Sequence, residues 1–454
     1  MLSLKKIGVH SHVHFIGIGG ISMSGLAHIL LMRGVKVTGS DRTESNITNI
    51  LKNDGAEIYI GQRAENIQNP DLVVYTAAIS DDNPELCEAR NRHIETIERA
   101  DFLGELMKEF KMPVSISGTH GKTTTTSMLS TVLLHAEEDP TILVGGELNS
   151  IGGNYHVGTD KYLIFEGCEY VDSFLKFNPY SAIILNIEED HLDYFDGIEQ
   201  IKESFNKFMQ KIPKDGFVVV NADEENVMTS THDVECEIIT YGKNGDYSYK
   251  NECFDNNGFG SFDVYYKEEK LAHIQLSIGG NHNISNATAV FAVASKLGIE
   301  PDVIAEGIKK FTGTKRRFEY KGSFNGAKVY DDYAHHPTEI VATLDVAKKM
   351  EHNKIWVVFQ PHTYSRTNAL FNQFIEALTP FDNIIITDIY AAREKNTIGI
   401  SSKSLADKIK NARYISDFSE ISEHLKANVS ENDIVITMGA GTITDLSKFL
   451  LDLE

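Results

Sequence analysis

A short strand, a glycine-rich loop and a helix follow one another near the centre of the first half of the chain. The strand is predicted at Val114–Ser117, the loop reads GTHGKT over Gly118–Thr123, and the helix extends over Thr123–His135. Glycines let the backbone turn so that successive N–H groups point at phosphate oxygens. Lys122 is placed to reach the β- and γ-phosphates of ATP, and the Thr123 hydroxyl to bind Mg²⁺. The segment therefore predicts an ATP-binding loop in a parallel α/β sheet.

This loop is shorter than the common pattern GxxxxGK[ST], because Ile116 stands where the first glycine would fall. The alternative is a surface turn before a helix, with no ligand. A GKT sequence directly after a strand is specific, and it favours phosphate binding. The predicted ATP contacts of the loop are Gly118, Thr119, His120, Gly121, Lys122, Thr123 and Thr124.

The alternation of strands and helices predicts parallel sheets covered by helices. The chain has 454 residues, whereas a domain usually has about 100–200. We predict three α/β domains at residues 1–112, 113–317 and 318–454. The region Cys236–Ser277 is expected to form short antiparallel strands, and Pro337 to begin a helix. The other predicted helices are Met23–Arg33 and Asn286–Leu297. The predicted strands are His14–Ile18, Val35–Ser40, Leu72–Thr76, Val114–Ser117, Tyr162–Phe165, Ala182–Asn186, Phe217–Asn221, Ala327–Asp331, Lys354–Gln360, Asn383–Asp388 and Asp433–Met438.

The charge of the chain bears on its partners. Acidic residues outnumber basic ones by 65 to 43, for a formal net charge of −22. Such a surface repels nucleic acid and anionic lipid. Any anionic ligand must then be held by local N–H groups, Lys, Arg or a metal. We therefore expect small-molecule ligands and neither nucleic acid nor membrane as a partner.

Cysteine use and the N-terminus bear on the compartment. The cysteines show no CxxC pair and no histidine at metal spacing, which predicts a reducing compartment and no zinc site. The N-terminal stretch lacks the apolar core of a signal peptide, and no run approaches the ~18 apolar residues of a membrane span. We expect a cytoplasmic protein. The four cysteines are Cys87, Cys168, Cys236 and Cys253.

Acidic residues and a histidine follow two strands of the predicted ATP-binding domain. Glu166 comes directly after Tyr162–Phe165, and the sequence NIEEDH offers Asp190 and His191. Because the carboxyl ends of parallel strands meet at one rim of a sheet, these side chains should face the phosphate loop. Mg²⁺ prefers oxygen ligands. Asp190 and His191 both stay open as partners of Glu166.

A second glycine loop lies near the N-terminus. Gly17, Gly19 and Gly20 follow a strand, and Asp41 closes the next strand about 20 residues on. Ser22 replaces the third glycine of GxGxxG, so the pattern is weak. It is consistent with NAD, FAD or a nucleotide sugar as ligand, and the alternative is a tight turn that binds no ligand. Three alternating histidines are expected to lie on a solvent-facing side of the first strand without a role: His10, His12 and His14.

Four polar or glycine-rich segments follow strands in the third domain. The segment Asp331–Glu339 reads DDYAHHPTE, Gln360–Thr367 reads QPHTYSRT, and MGAGT includes Gly439 and Gly441. The fourth segment, AAREK, carries Arg393. Polar loops after apolar strands are commonly functional. An arginine such as Arg366 could clamp a carboxylate or a phosphate.

Together these segments resemble the Mur ligase family along nearly the whole chain. HFIGIGGISMSGLA and TAAIS are similar to its uridine-nucleotide loops, and GTHGKTTTT to its ATP loop. FEGCEYVDSFL and NIEEDHLDYF resemble the segments that carry its metal-binding Glu166 and His191. GCEYVDSF departs from the ADESDASF of many members. Further matching segments are GNHNISNATA, GTKRRFE, DDYAHHPTEI, FQPHTYSRT and DIYAAREK.

The resemblance implies an α/β fold of three domains: a Rossmann-like N-terminal domain that binds the UDP substrate, a central P-loop-type ATP-binding domain and a Rossmann-like C-terminal domain. It also implies ATP-dependent ligation of L-alanine to UDP-N-acetylmuramate through an acyl phosphate, with ATP and Mg²⁺, by a monomer or homodimer. The implied metal ligands are Thr123, Glu166 and His191. The implied catalytic residues are Lys122, Glu166, His191 and His336. Further implied ATP contacts are His282, Asn286, Arg317 and Asp331. The implied substrate contacts are Gly17, Gly19, Gly20, Ser22, Ser24, Asp41, Thr76, Ala77, Tyr333, His335, His362 and Arg366.

Three alternatives stay open. A recycling ligase of the same family would join a tripeptide to UDP-N-acetylmuramate. A binding or regulatory protein could keep the fold without catalysis, although Lys122, Glu166 and His191 are intact. An oxidoreductase would follow from the first glycine loop alone, but that reading ignores the ATP loop.

Overall fold

The computed structural model describes residues 10–192, 194–392 and 394–451, which fall into two compact units. The first unit runs to Asp246 and includes Ala292–Ile299. The second holds Tyr247–Phe291 and the chain from Glu300 onward. Both are α/β with mostly parallel strands, as predicted. Among the described residues, no helix combines the length and the apolar character needed to cross a bilayer.

The N-terminal sheet of the first unit has five parallel strands in the order β3-β2-β1-β4-β5. This is the start of the Rossmann strand order, in which ligands bind at the carboxyl ends where the order reverses. The strands are β1 His12–Ile16, β2 Lys36–Asp41, β3 Glu57–Ile60, β4 Leu72–Tyr75 and β5 Glu95–Glu98. The helices are α1 Ile21–Met32, α2 Asn46–Asn53, α3 Pro84–Asn91 and α4 Arg99–Met107.

Seven more strands of the first unit follow the order β12-β11-β10-β6-β9-β7-β8. All adjacent pairs are parallel except the β7–β8 hairpin. The strands are β6 Met112–Ser117, β7 Pro140–Leu148, β8 Gly153–His156, β9 Thr159–Gly167, β10 Ser181–Ile184, β11 Phe217–Asn221 and β12 Glu237–Tyr241. The helices are α5 Lys122–His135, α6 Ile198–Met209 and α7 Glu225–Thr229, with 3-10 segments at Asn149–Ile151 and Tyr170–Lys176.

The two sheets of the first unit share one apolar core that includes Phe15, Leu26, Phe165 and Phe205. Helix α1 lies so close to the β7–β8 hairpin that a β-carbon on Gly25 would stand 2.6 Å from Leu143 Cδ2. Only glycine allows this approach without a shift. The packing holds the first glycine loop, which opens α1, against the part of the chain that carries the predicted phosphate loop.

The second unit begins with three antiparallel strands, as predicted for part of Cys236–Ser277. The prediction was wrong for β12, which pairs in parallel with β11. The new elements are β13 Tyr247–Phe254, β14 Phe259–Tyr266, β15 Glu269–Gly279, α8 Asn281–Lys296 and α9 Pro301–Lys310. Helix α8 starts before the predicted Asn286, so the sequence NHNIS forms its first turns.

The last sheet has the order β16-β17-β21-β18-β19-β20, parallel except for β16–β17. Its strands are β16 Glu319–Phe324, β17 Ala327–Asp332, β18 Ile355–Phe359, β19 Asn383–Ile386, β20 Ala412–Tyr414 and β21 Ile434–Met438. Its helices are α10 Pro337–Lys349, α11 Tyr364–Ala369, α12 Phe371–Leu378, α13 Ser402–Ala406, α14 Phe418–Asn428 and α15 Leu446–Leu451. Pro337 occupies the first turn of α10, as predicted. The exact domain boundaries stay a prediction.

The histidines of β1 do not face solvent, which corrects the expectation for two of the three. His10 is exposed, but His12 and His14 are 9% and 0% exposed. Thr38 Oγ1 lies 2.9 Å from His12 Nε2 and 2.8 Å from His14 Nδ1. Because β1 belongs to a parallel sheet, whose crossover helices cover both faces, neither face of the strand is open to solvent. The two rings are part of a buried polar network.

Candidate active site

The predicted phosphate loop joins β6 to α5 in the geometry that the sequence suggested. Gly118 has φ 144° and Gly121 has φ 85°, which side chains other than glycine rarely adopt. A β-carbon on Gly118 would also stand 3.0 Å from Leu185 Cβ. The loop opens α5, so its N–H groups and the helix N-terminus can face an anion.

Asn186 holds the phosphate loop and was not among the predicted site residues. Its side-chain oxygen accepts the His120 N–H at 2.7 Å, and its Nδ2 donates to the His120 carbonyl at 3.1 Å. Its own carbonyl accepts the Thr119 N–H at 3.1 Å. The signal in the sequence was its position directly after a buried strand, at the start of NIEEDH. Asn186 therefore fixes the backbone of the loop.

Lys122 is directed at a carboxylate that the sequence analysis did not select. Its Nζ lies 3.1 Å from Glu169 Oε2 and also donates to the carbonyls of Gly118 and Thr119. Burial alone would lower the pKa of Lys122, but the charge and hydrogen bond of Glu169 together with the other acidic groups nearby outweigh it, so the pKa lies above its ordinary value. The ammonium therefore stays charged at neutral pH.

The predicted metal ligands lie around the same loop. Thr123 Oγ1 donates to Glu166 Oε2 at 3.1 Å, and Glu166 Oε1 accepts the Gly145 N–H at 2.6 Å. Glu166 lies within β9 and not directly after it, as had been expected. His191 Nε2 is 4.0 Å from Glu169 Oε1, and Asp190 accepts the His191 N–H at 2.8 Å. The three predicted metal ligands, Thr123, Glu166 and His191, thus lie around the phosphate loop. Glu169 joins them as a fourth candidate ligand.

The donor set is suited to a magnesium ion. A hydroxyl, carboxylates and an imidazole are present, and hard oxygen ligands are those that Mg²⁺ takes. Glu169 is nearly fully buried, and the Lys122 ammonium is the cation that balances its charge in this structure. Cys168 does not contribute a thiolate, because burial raises its pKa to about 11. The residues that could hold the ion are Thr123, Glu166, Glu169 and His191.

The first glycine loop is closed by Asp41. Gly17 N–H donates to the Ser40 carbonyl at 2.8 Å, and Gly19 N–H donates to Asp41 Oδ2 at 2.9 Å. Ser22 lies at the start of α1, where its hydroxyl accepts from Arg99 Nη1 at 3.2 Å. Arg99 was not predicted, although it opens α4 on the same sheet edge. It adds a positive charge beside the loop.

The remaining predicted residues of this loop divide into two groups. Thr76 lies beside the loop, since a β-carbon on Gly17 would stand 3.5 Å from Thr76 Cγ2. Ala77 follows it in the turn after β4, where Ala78 N–H donates to Thr76 Oγ1 at 3.3 Å. Ser24 is buried, and its hydroxyl donates to the Ile21 carbonyl at 2.8 Å. Ser24 therefore stabilises α1 from within, whereas Thr76 borders the loop.

In the second unit, Asp331 anchors the end of β17. It is fully buried and accepts hydrogen bonds from Thr437 and Thr444, each at 2.7 Å. Arg316 Nε lies 3.5 Å from Asp331, and its Nη2 donates to the Gly439 carbonyl at 2.7 Å. Arg316 lies in the matching segment GTKRRFE, but only its neighbour Arg317 was among the predicted site residues. These contacts join the first and last predicted segments of this domain.

The DDYAHHPTE segment forms a compact turn before α10. Arg317 lies 5.1 Å from the centre of the Tyr333 ring, within cation–π range. His335 Nδ1 is 2.9 Å from the Tyr333 carbonyl, and the His336 side chain accepts the Thr338 N–H at 3.4 Å as the cap of α10. Arg317 and the three predicted residues of this turn that follow Asp332, Tyr333, His335 and His336, therefore lie together.

The QPHTYSRT segment meets the segment after β19. Arg366 Nη1 lies 3.2 Å from His362 Nδ1, and the His362 ring stacks on Tyr390 with centres 5.7 Å apart. Glu394 accepts the N–H groups of Tyr364 and Ser365 at 2.7 and 2.9 Å. Tyr390 and Glu394 were not predicted. The candidate Arg393 lies outside the described residues.

The two predicted residues of α8 lie on its first turns. His282 is exposed, and Asn286 is buried with its Nδ2 donating to Asn283 Oδ1 at 3.1 Å. The Asn283 amide in turn donates to the Gly279 carbonyl at 2.7 Å. These contacts fix the start of the helix. The predicted contacts of His282 and Asn286 with ATP stay predictions.

The phosphate loop, the order of the α/β sheets and three matching family models together identify the family of this chain. The chain belongs to the Mur ligase family. Residues 12–111 match the Mur ligase family catalytic domain, residues 116–294 the Mur ligase middle domain, and residues 316–441 the Mur ligase glutamate ligase domain.

The names of its relatives are more specific than the family. The chain is 51% identical to the UDP-N-acetylmuramate–L-alanine ligase of Acetivibrio thermocellus, over 99% of this chain and 97% of that one. It is 49% identical to the enzyme of that name from Clostridium perfringens, over 98% of each. The crystal structure of the UDP-N-acetylmuramate–alanine ligase of Thermotoga maritima is similar with TM-score 0.83 and 31% identity, covering 98% of this chain and 99% of that one. A murein peptide ligase from Psychrobacter arcticus is similar with TM-score 0.73 and 26% identity, covering 98% of each.

Proposed function

We propose that this enzyme ligates L-alanine to UDP-N-acetylmuramate at the expense of ATP. The products are UDP-N-acetylmuramoyl-L-alanine, ADP and phosphate, and the pathway is peptidoglycan precursor synthesis. The assembly of Lys122, Glu169 and His191 around one phosphate loop carries this proposal, in a chain 51% identical to a ligase of that name. The charge of −22 supports a protein that works without nucleic acid or membrane. We place it in the cytoplasm as a monomer or homodimer.

In the first step, the lactyl carboxylate of UDP-N-acetylmuramate attacks the γ-phosphate of ATP, and ADP leaves. A carboxylate is a poor acyl donor, so the mixed anhydride with phosphate is the reason that ATP is required. Lys122 and the loop N–H groups neutralise charge on the transferred phosphoryl group. Mg²⁺, held by Thr123, His191 and the carboxylates, supplies further positive charge when bound. Gly17, Gly19 and the other residues of the first loop hold the uridine nucleotide.

In the second step, the amine of L-alanine attacks the acyl carbonyl, and phosphate leaves. The attacking amine must lose a proton. The carbonyl of Tyr333 can only accept a hydrogen bond, so the neighbouring His335 Nδ1 carries hydrogen and Nε2 is the basic nitrogen. His336 Nδ1 accepts the Thr338 N–H, so its hydrogen lies on Nε2. These bonds favour His335 as proton acceptor and give His336, which the resemblance implies as catalytic, a positioning role instead. Arg366 binds the alanine carboxylate.

The test supplies the purified protein with UDP-N-acetylmuramate, ATP, Mg²⁺ and one amino acid at a time. ADP release should be fastest with L-alanine, with some tolerance for serine or glycine, and mass spectrometry should find the UDP-N-acetylmuramoyl-amino acid. A Lys122→Met variant serves as the matched control and should lose turnover. ADP release that does not prefer L-alanine would reject the assignment.

The same assay separates the alternatives. A recycling ligase would prefer the tripeptide over L-alanine, and it is less well supported because the murein peptide ligase structure is less similar, with TM-score 0.73 against 0.83. A non-catalytic binding protein would bind ATP without turnover. An oxidoreductase would bind NADH, which a fluorescence titration detects.

A further inference from the structure

Three aromatic rings of the first unit form a cluster beside the phosphate loop. The rings of Tyr170 and His191 lie with their centres 4.6 Å apart at an angle of 33°. The Tyr194 ring meets Tyr170 edge-on, with centres 6.4 Å apart at 75°. Tyr170 directly follows Glu169 in the chain. The Tyr170 ring therefore packs against the imidazole that is assigned above to the metal site.

The backbone on both sides of this cluster is strained. Val171, Asp172 and His191 have φ of 49°, 55° and 55°. Left-handed backbone is uncommon for residues other than glycine and rare for a β-branched valine, so surrounding contacts must maintain it. Strain of this kind concentrates at functional sites. The cluster is a maintained arrangement, and its supports should be identifiable.

Asp172 is the main support. One carboxylate oxygen accepts the Tyr194 hydroxyl at 2.8 Å, and the other accepts the Ser204 hydroxyl from α6. Tyr194 in turn packs edge-on against Phe195, with ring centres 4.9 Å apart, and Phe195 is buried. The cluster is thus tied to the core through Asp172 and Phe195. Tyr170 is held against His191 by these neighbours.

We propose that Tyr170 is a positioning residue that fixes the His191 imidazole for metal binding. This rests on the proposed function for the identity of the metal site. His191 Nε2 lies 4.0 Å from Glu169 Oε1, and the Tyr170 ring, packed against the imidazole at an angle of 33°, restricts its rotation out of this direction. Residues that orient a metal-binding histidine commonly change metal affinity by about 10–100-fold when they are removed. Packing against an aromatic ring takes the place here of the hydrogen bond that usually orients such a histidine.

Because Tyr170 is exposed, its role in metal binding can be tested without disturbing the folding of the protein. Tyr170 and Tyr194 are 38% and 40% exposed, so removal of the Tyr170 ring leaves no cavity in the core. The Tyr170→Ala variant should therefore fold with nearly the wild-type melting temperature. The Tyr170→Phe variant keeps the ring and is the matched control.

The experiment measures Mn²⁺ binding to the full-length protein by electron paramagnetic resonance, in the presence of ADP. Tyr170→Ala should weaken Mn²⁺ binding by about 10-fold or more, while Tyr170→Phe binds as the wild type does. In the ligation assay, Tyr170→Ala should need more Mg²⁺ for half-maximal rate, with unchanged KM for L-alanine. A purely structural role would instead lower the melting temperature and leave the Mn²⁺ affinity of the folded fraction unchanged.

Wild-type affinity for Mn²⁺ in the Tyr170→Ala variant would overturn the proposal, whatever its activity. If that variant does not fold, Tyr170→Leu decides by the same criterion, because it keeps bulk but not the ring. Failure of the proposed function is a separate outcome. It would appear as Mn²⁺ and ADP binding by the wild type without ligation of L-alanine.

Discussion

The ammonium of Lys122 lies 3.1 Å from a carboxylate oxygen of Glu169, a side chain that is only 3% exposed. This pair joins the phosphate loop to the segment after β9. The same carboxylate group faces His191, with 4.0 Å between Glu169 Oε1 and Nε2. Glu169 therefore stands between the group that contacts phosphate and a group that can hold the metal. Glu166, the other carboxylate of the site, lies within β9 and accepts a hydrogen bond from Thr123 instead.

The two carboxylates should differ in their effects. Glu169→Gln should lower kcat by about 100-fold, a size typical for loss of a pre-organised charge in an active site, and should weaken Mn²⁺ binding in the presence of ADP. Glu166→Gln should reduce kcat and Mn²⁺ affinity less, because Lys122 and His191 keep Glu169 as their partner. Glu199→Gln, at a largely exposed carboxylate, is the control. A larger effect of Glu166→Gln on Mn²⁺ binding would reverse this order.

Replacement of the two histidines before α10 should separate proton transfer from positioning. His335→Asn should lower kcat by at least about 100-fold, since loss of a general base costs that much, while ADP still forms in a first turnover. His336→Asn should lower it less, because asparagine is itself a good helix N-cap. Rapid-quench measurement of ADP and of product distinguishes the two steps. The opposite ranking would assign the proton to His336.

Asp332 should make stability fall as pH rises. Burial raises its pKa to about 6, from 3.8 as the ordinary value. Between these values the folded protein binds a proton that the unfolded chain has lost, so the free energy of unfolding decreases with pH. The loss is complete above about pH 6, and at about 1.4 kcal/mol per pKa unit it is on the order of 2–3 kcal/mol.

The matched variant is Asp332→Asn, which cannot ionise. Its stability relative to the wild type should increase between pH 4 and pH 6, as measured by urea unfolding at a series of pH values. The variant should keep the acceptor for the Ala334 N–H, now at 2.8 Å from Asp332 Oδ1. A difference between the two proteins that does not change with pH would contradict the assignment.

Glu394 should control the affinity for the amino acid. It accepts the N–H groups of Tyr364 and Ser365 at the start of α11, directly before Arg366. Burial alone would raise the pKa of Glu394, but the hydrogen bonds from Ser365 and Tyr364 hold this pKa below its ordinary value. The Glu394 carboxylate is therefore ionised at neutral pH. Glu394→Ala should raise the KM for L-alanine by about 10-fold, which corresponds to the loss of about 1.4 kcal/mol of binding.

The KM for ATP should stay unchanged in Glu394→Ala, since α11 carries no predicted ATP contact. Glu376→Ala on α12 is the control, because Glu376 is exposed. Steady-state kinetics with each substrate varied in turn measure the two constants. Equal increases in both would show a general loss of structure rather than a change at the amino-acid site.

Much of the fold could be predicted from the sequence, because the patterns that specify its loops and helix starts are local. The phosphate loop, the glycine loop before α1 and the proline that opens α10 each depend on backbone preferences of a few neighbouring residues. The apolar strands β6, β10, β11, β18 and β21 were predicted to within two residues at each end. Their order within each sheet was not, since pairing joins strands that are distant in the chain.

The sequence by itself determined where an anion can bind: GTHGKT between a strand and a helix specifies N–H groups, a lysine and a threonine at fixed spacing. Only the tertiary structure decided which side chains surround them. Glu169 reaches Lys122 across 47 residues, and Asn186 reaches His120 across 66. Likewise, His14 is buried because the neighbouring strands and α3 cover its strand. The physical reason is that the direction of a side chain follows from packing between distant segments, and no local pattern records that packing.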